Sequence, residues 1–124
     1  TSEDLLEKFY LDTIGNLALT ETREYLKNHL KDRFEVKRLS HLSPGSLTDW
    51  PIEEQQTLFS LLNGAERAID VRLTPQLLMI PTKSVSGIFF PTETPFQSCQ
   101  LCPRDRCPGR RATYSEELVV AYGL

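Results

Sequence analysis

The chain has 124 residues, and its 14 Lys and Arg against 17 Asp and Glu leave a net charge of -3. That is enough chain for one domain with a modest core, and the acidic balance argues against a general nucleic-acid binder. No apolar run approaches the roughly 18 residues that cross a bilayer and no signal-peptide pattern opens the chain. The sequence therefore reads as a single cytoplasmic domain over residues 1–124, and its Thr1-Ser2 start is that of a processed or partial chain.

The first third predicts a helix. Ser2 ahead of Glu3 and Asp4 is a helix start, and apolar positions recur at Leu6, Tyr10, Ile14, Leu17, Ala18, Tyr25, Leu26 and Leu30. This period near 3.6 gives one long amphipathic helix, or two joined near Gly15. Its tyrosines and His29 read as core or edge residues, and the charges from Lys27 to Lys37 as a solvated face. Next, His41-Leu42-Ser43-Pro44-Gly45-Ser46 reads as a loop, because proline fixes one torsion and glycine opens backbone geometry closed to other residues. Such a turn serves as a connector or lets a ligand approach the main chain. A second helix is expected from Pro51 through Ile52, Leu58, Phe59, Leu61 and Leu62 to Asn63-Gly64, with Trp50 stapling its start to the core.

Then the period changes. Gln76 to Ile80 and Val85 to Phe90 are short runs rich in apolar residues, separated by Pro81-Thr82-Lys83, and read as two neighbouring strands. Gly87 inside the second predicts a bulge or a close backbone approach. Ser84 and Ser86 fall on one face, where they can touch a ligand or satisfy nearby backbone. Ser115 to Ala121 reads as a short final helix.

Between those elements, residues 91–113 form an irregular excursion that holds every cysteine of the chain: Cys99, Cys102 and Cys107, followed by Pro108. C-x2-C-x4-C-P in a proline-rich loop brings three soft donors round one point, the spacing of a metal site. The segment looks too short to hold a helix or strand, so it should fold around something other than its own apolar residues. The Cys-Pro ending and the cations Arg104, Arg106, Arg110 and Arg111 favour an iron-sulfur cluster over zinc. Either metal needs a fourth ligand, and His29 and His41 are the only histidines. One disulfide with a free thiol, or three unrelated thiols, are the plainer alternatives.

Residues Arg72 to Phe90, R-L-T-P-Q-L-L-M-I-P-T-K-S-V-S-G-I-F-F, resemble the L-T-E-S-x-A-M-x-P-x-x-S-V-S-G-x-Y-F stretch of the activation domain of cobalamin-dependent methionine synthase. His41 to Ser46 sits where that family has R-P-A-P-G-Y, and the likeness runs from about Ser2 to Phe90. It implies an α+β fold with helices on a small twisted antiparallel sheet, S-adenosylmethionine as methyl donor, and return of oxidised cobalamin to its methylated form. The electron would come from a separate reductase. Pro44 and Gly45 carry over as ligand-binding positions, whereas His41 and Ser46 replace the family's arginine and tyrosine. The family's tyrosine pair gives way to Pro95-Phe96-Gln97-Ser98, which leads into the cysteines. An acidic ligand-binding residue of the family has no counterpart.

Taken together, residues and resemblance point to a corrinoid-linked accessory domain that reductively reactivates a corrinoid protein or cobalamin-dependent methyltransferase. Cys99, Cys102 and Cys107 would hold an iron-sulfur cluster, and the partner would carry the cobalamin. The alternatives are a non-catalytic interaction module with a structural zinc, and remethylation of cobalamin from S-adenosylmethionine. No catalytic residue is assigned.

Overall fold

The structure is a computed structural model and describes residues 1–94 and 96–124. One helix, α1, spans Ser2–Phe34 without a break at Gly15. Thr1 caps it: its hydroxyl accepts from the Asp4 N–H at 3.3 Å and donates to the Asp4 carboxylate at 2.8 Å, so the cap lies one residue before Ser2. Lys31 and Arg33 in the last turn sit at the negative end of the helix dipole, and Glu35 closes the helix in the left-handed conformation.

The row that α1 turns toward the body is Gly15, Leu19, Arg23 and Lys27, followed by Leu30. Leu6, Tyr10, Ile14 and Leu17 all remain more than half exposed. The cause lies in the sequence, where apolar residues occur all round the first half of the helix and so do not single out one packing face. At Gly15 the helix admits Lys83, whose side chain passes 3.1 Å from where a Cβ would sit. Lys83 then donates to Asn16 at 2.8 Å and pairs with Asp12 at 2.5 Å.

Strand β1, Leu39–Leu42, follows and includes His41 and Leu42, so the turn begins only at Ser43. That turn is closed by Ser46 N–H to Ser43 O at 3.0 Å and Gly45 N–H to Trp50 O at 2.7 Å. After Pro51 come a 3-10 turn, Ile52–Glu54, and helix α2, Gln55–Leu61, with Leu58 buried. A further helix not foreseen from the sequence, α3 at Ala65–Ile69, starts beyond Gly64.

The two middle strands do not pair with each other. Strand β2, Arg72–Leu73, pairs antiparallel with β3, Met79–Ile80. Thr74 explains why β3 is so short: its N–H donates to Leu78 O, and its hydroxyl accepts from the Leu78 N–H. Thr74-Pro75 thus consumes Gln76 to Leu78 in a turn. Strand β4, Ile88–Pro91, pairs instead with β1, in the register Leu39 with Pro91 through Leu42 with Ile88. Ser84 and Ser86 precede β4 rather than lying in it, and Ser84 donates to Pro81 O at 2.6 Å.

The cysteine segment contains one helical turn after all, α4 at Ser98–Leu101, and helix α5 at Glu116–Tyr122 follows. The core lies where these meet β1 and β4. Leu39, Phe96 and Leu101 are buried there, and the Phe96 ring sits 6.0 Å from Phe90 and 4.8 Å from Tyr122. Ser40, 2% exposed, accepts from the Phe96 N–H at 3.3 Å and so fastens the segment to the strand pair.

Gly87 meets the expectation of a close approach. A Cβ there would collide with the Leu42 carbonyl and lie within 3.0 Å of His41 and Ser43 side-chain atoms. Gly87→Ala should therefore force β4 away from β1 and cost about 1–3 kcal/mol, read as a lower urea midpoint; an unchanged midpoint would contradict the packing.

Candidate functional site

A cavity of about 250 Å³ opens between α1, the β1–β4 pair and the start of the cysteine segment. Helix α1 contributes Arg23 and Lys27, β1 contributes Ser40 and His41, and the segment contributes Cys99 and Arg111. The four-residue step from Arg23 to Lys27 places both cations on one helix face, directed at the strands.

His41 packs against Phe89, its cross-strand partner, with ring centroids 5.0 Å apart and planes tilted by 49°. Burial, and then the charges of Arg23, Arg111 and Lys27, lower its pKa to about 4, so the ring is neutral at physiological pH. Burial also lowers the pKa of Arg23, with the neighbouring Arg111 charge adding to the effect. The Cys99 thiol is drawn below its ordinary range, chiefly because the Arg111 main-chain N–H points at Sγ from 3.5 Å. The Ala112 N–H and the charges of Arg111 and Arg110 act in the same direction, against a burial cost.

The cysteine segment is organised by a guanidinium. Arg110 donates through Nη1 to Cys99 O at 2.8 Å and Ala112 O at 3.0 Å, and through Nη2 to Cys102 O at 3.0 Å and Arg104 O. One planar fork thereby gathers four carbonyls, three from irregular backbone and that of Cys99 in α4, which also accepts from the Cys102 N–H. Ser115 N–H to Gln100 O at 2.8 Å closes the segment at its far side.

Cys99, Cys102 and Cys107 are free thiols, all half-buried, so no disulfide divides them. Their chemistry fits a soft metal, and Cys99 is already disposed to lose its proton. Among the described residues, however, no three His, Cys, Asp or Glu side chains are assembled into a ready metal cage. To hold one metal with all three thiols, the segment would have to close round it. Pro44 and Gly45 do not line the cavity; Pro44 is buried and the Gly45 N–H is committed to Trp50 O. Of the Pro95-Phe96-Gln97-Ser98 stretch, Pro95 falls outside the described residues, and the other three line the cavity.

Sequence reading missed Arg23, took Lys27 for a solvated face, and took Arg110 for a charge beside the cysteines rather than a clamp on the backbone. The first two were legible as an i, i+4 continuation of Gly15 and Leu19, the row that faces the body. Arg110 had no local signal, because its partners are carbonyls.

In class this is a small α+β domain whose β1–β4 pair carries a polar cavity beside a three-thiol segment. Residues 40–107 match the family described as vitamin B12 dependent methionine synthase, activation domain, and the chain belongs to that family. Membership ties the chain to a corrinoid-associated role. The matched span starts at Ser40, after α1, and reaches Cys107. No curated protein and no solved structure gives a significant match. Among the described residues, no helix is long and apolar enough to cross a membrane.

His41 carries a pH signature. Its folded pKa of about 4 lies below the ordinary 6.5, so the unfolded chain binds more protons between those values. The stability it contributes is complete above about pH 6.5 and is lost as pH falls toward 4. Urea midpoints should fall between pH 7 and pH 5 in the native chain and fall less in His41→Gln; equal slopes would refute the assignment. Arg110→Met should expose the segment, raising the rate at which Cys99 and Cys102 react with a thiol reagent by about tenfold.

Proposed function

We propose that this chain is an accessory domain for reductive reactivation of a corrinoid protein or cobalamin-dependent methyltransferase, with Cys99, Cys102 and Cys107 as ligands of an iron-sulfur cluster. The observation that carries the reading is the position of three free thiols on a segment fastened to the family's own strand pair through Ser40 and Phe96. When bound, such a cluster supplies single electrons, and a cob(II) centre needs one electron to regain its nucleophilic form.

The chain's residues have separate tasks in this reading. The Arg111 N–H and the nearby guanidinium charges stabilise the Cys99 thiolate, the form that binds metal. Arg110 holds the backbone between the ligands in a compact turn without using any thiol. Arg104 and Arg106, both exposed, face solvent where an acidic partner surface can dock. The helices and the β1–β4 pair supply a frame that does not depend on metal.

Anaerobic reconstitution of the 124-residue chain with iron and sulfide should give a brown protein with cluster absorption. Cys102→Ser should abolish both the colour and reactivation of a cob(II) partner by a reductase, while the circular dichroism spectrum stays native. A colourless protein that binds one zinc would replace this reading with a structural staple. A Cys102→Ser protein that lacks the cluster but reactivates at the normal rate would remove the electron-transfer role. Calorimetry with S-adenosylmethionine tests the remaining alternative, remethylation of cobalamin.

A further inference from the structure

Three cations meet at the cavity: Arg23 and Lys27 from α1, and Arg111 from beyond the cysteines. Among the described residues Glu24 is the single carboxylate that lines it, and it pairs with Lys27 at 3.8 Å. Among the described residues neither Arg23 nor Arg111 has a carboxylate within ion-pair distance. The cavity thus holds an excess of positive charge on a chain whose net charge is -3. Keeping like charges together in a half-buried concavity is unfavourable unless an anion offsets them, and low-dielectric walls strengthen its attraction.

Neutral groups complete the set. Ser40 lines the cavity while 2% exposed; it accepts from the Phe96 N–H, and its own O–H is given to no acceptor among the described residues. Leu39, Phe89 and Phe96 form an apolar wall. His41 senses the same field, its pKa lowered to about 4 first by burial and then by Arg23, Arg111 and Lys27. All three cations lie outside the family-matched residues 40–107, so this charge arrangement belongs to the chain's flanking parts.

We propose that this cavity binds a compact phosphate monoester, with Arg23, Lys27 and Arg111 on the phosphate, the Ser40 hydroxyl as a neutral donor, and the ester's apolar body against Phe89 and Phe96. A dianion with three terminal oxygens suits cations that converge from two sides, and guanidinium forks match its geometry. A single carboxylate has one charge and two oxygens, and leaves part of the cationic set without a partner. Cys99 lines the same cavity and shares Arg111 with it, so the site is tested on the chain without metal, where it does not depend on the cluster.

The test is calorimetry on the full chain without added metal, using inorganic phosphate, phenyl phosphate and benzoate as probes, with the His41 ring followed by NMR. Phenyl phosphate should bind one to one with a dissociation constant of about 1 mM or tighter, and should shift the His41 resonances. Inorganic phosphate should bind more weakly for lack of the apolar contact, and benzoate about tenfold more weakly or worse. Arg23→Gln and Lys27→Gln should each weaken phenyl phosphate about tenfold, with circular dichroism reporting the fold; should Arg23→Gln unfold, Lys27→Gln decides. No saturable binding of either phosphate up to about 10 mM overturns the proposal, as does equal affinity in the folded variants. Benzoate binding as tightly as phenyl phosphate overturns it in favour of a carboxylate site.

Discussion

The pairing of β1 with β4 is the constraint on which this molecule turns. Four residue pairs join chain segments nearly fifty positions apart, and the approach is close enough that Gly87 has no space for a side chain. From that ribbon the rest is hung. Ser40 captures the Phe96 backbone on one side, His41 and Phe89 pack as cross-strand neighbours, and the start of the cysteine segment is drawn toward α1. A loss of register by one residue would turn Ser40 away from Phe96 and His41 away from the cavity together. Core and site therefore share one determinant.

Arg110 plays the complementary part for the irregular segment. Short loops without sheet or helix leave carbonyls unsatisfied, and here a guanidinium collects three of them together with that of Cys99. The arrangement leaves all three thiols unoxidised and available. It also separates two jobs that a metal-nucleated loop would combine, since the backbone has an organising centre of its own while the sulfurs are free for chemistry.

The parts of the fold that could be read from sequence are those governed by local rules. Helix α1, the turn at Pro44-Gly45, the close approach at Gly87 and the final helix after Ser115 each follow from propensity, capping or a residue with special torsional freedom. Strand partnership did not follow, because nothing between Val85 and Phe90 says whether its neighbour comes next in the chain or from far upstream. The Thr74-Pro75 turn decided that by using up most of the adjacent apolar run. The cysteine spacing suggested one shared centre, but among the described residues the side chains are not assembled round one. Of the cavity's cations, Lys27 was read as solvated charge and Arg111 as an offset to a cluster, while Arg23 drew no reading, since long-range packing of α1 selects the row of Arg23 and Lys27 over the more apolar row at Leu6 and Tyr10.

Helix α1 has one more consequence. Its 33 residues extend about 50 Å at 1.5 Å per residue, yet every position from 2 to 14 is exposed and the ion pair of Asp12 with Lys83 is where it first meets the body. Roughly the first 15 Å therefore stands clear of the globule as a rod. Such a shape tumbles anisotropically: the molecule rotates faster about the helix axis than end over end, and its frictional drag exceeds that of a sphere of equal mass. The hydrodynamic radius of a single copy is accordingly larger than its mass alone would give.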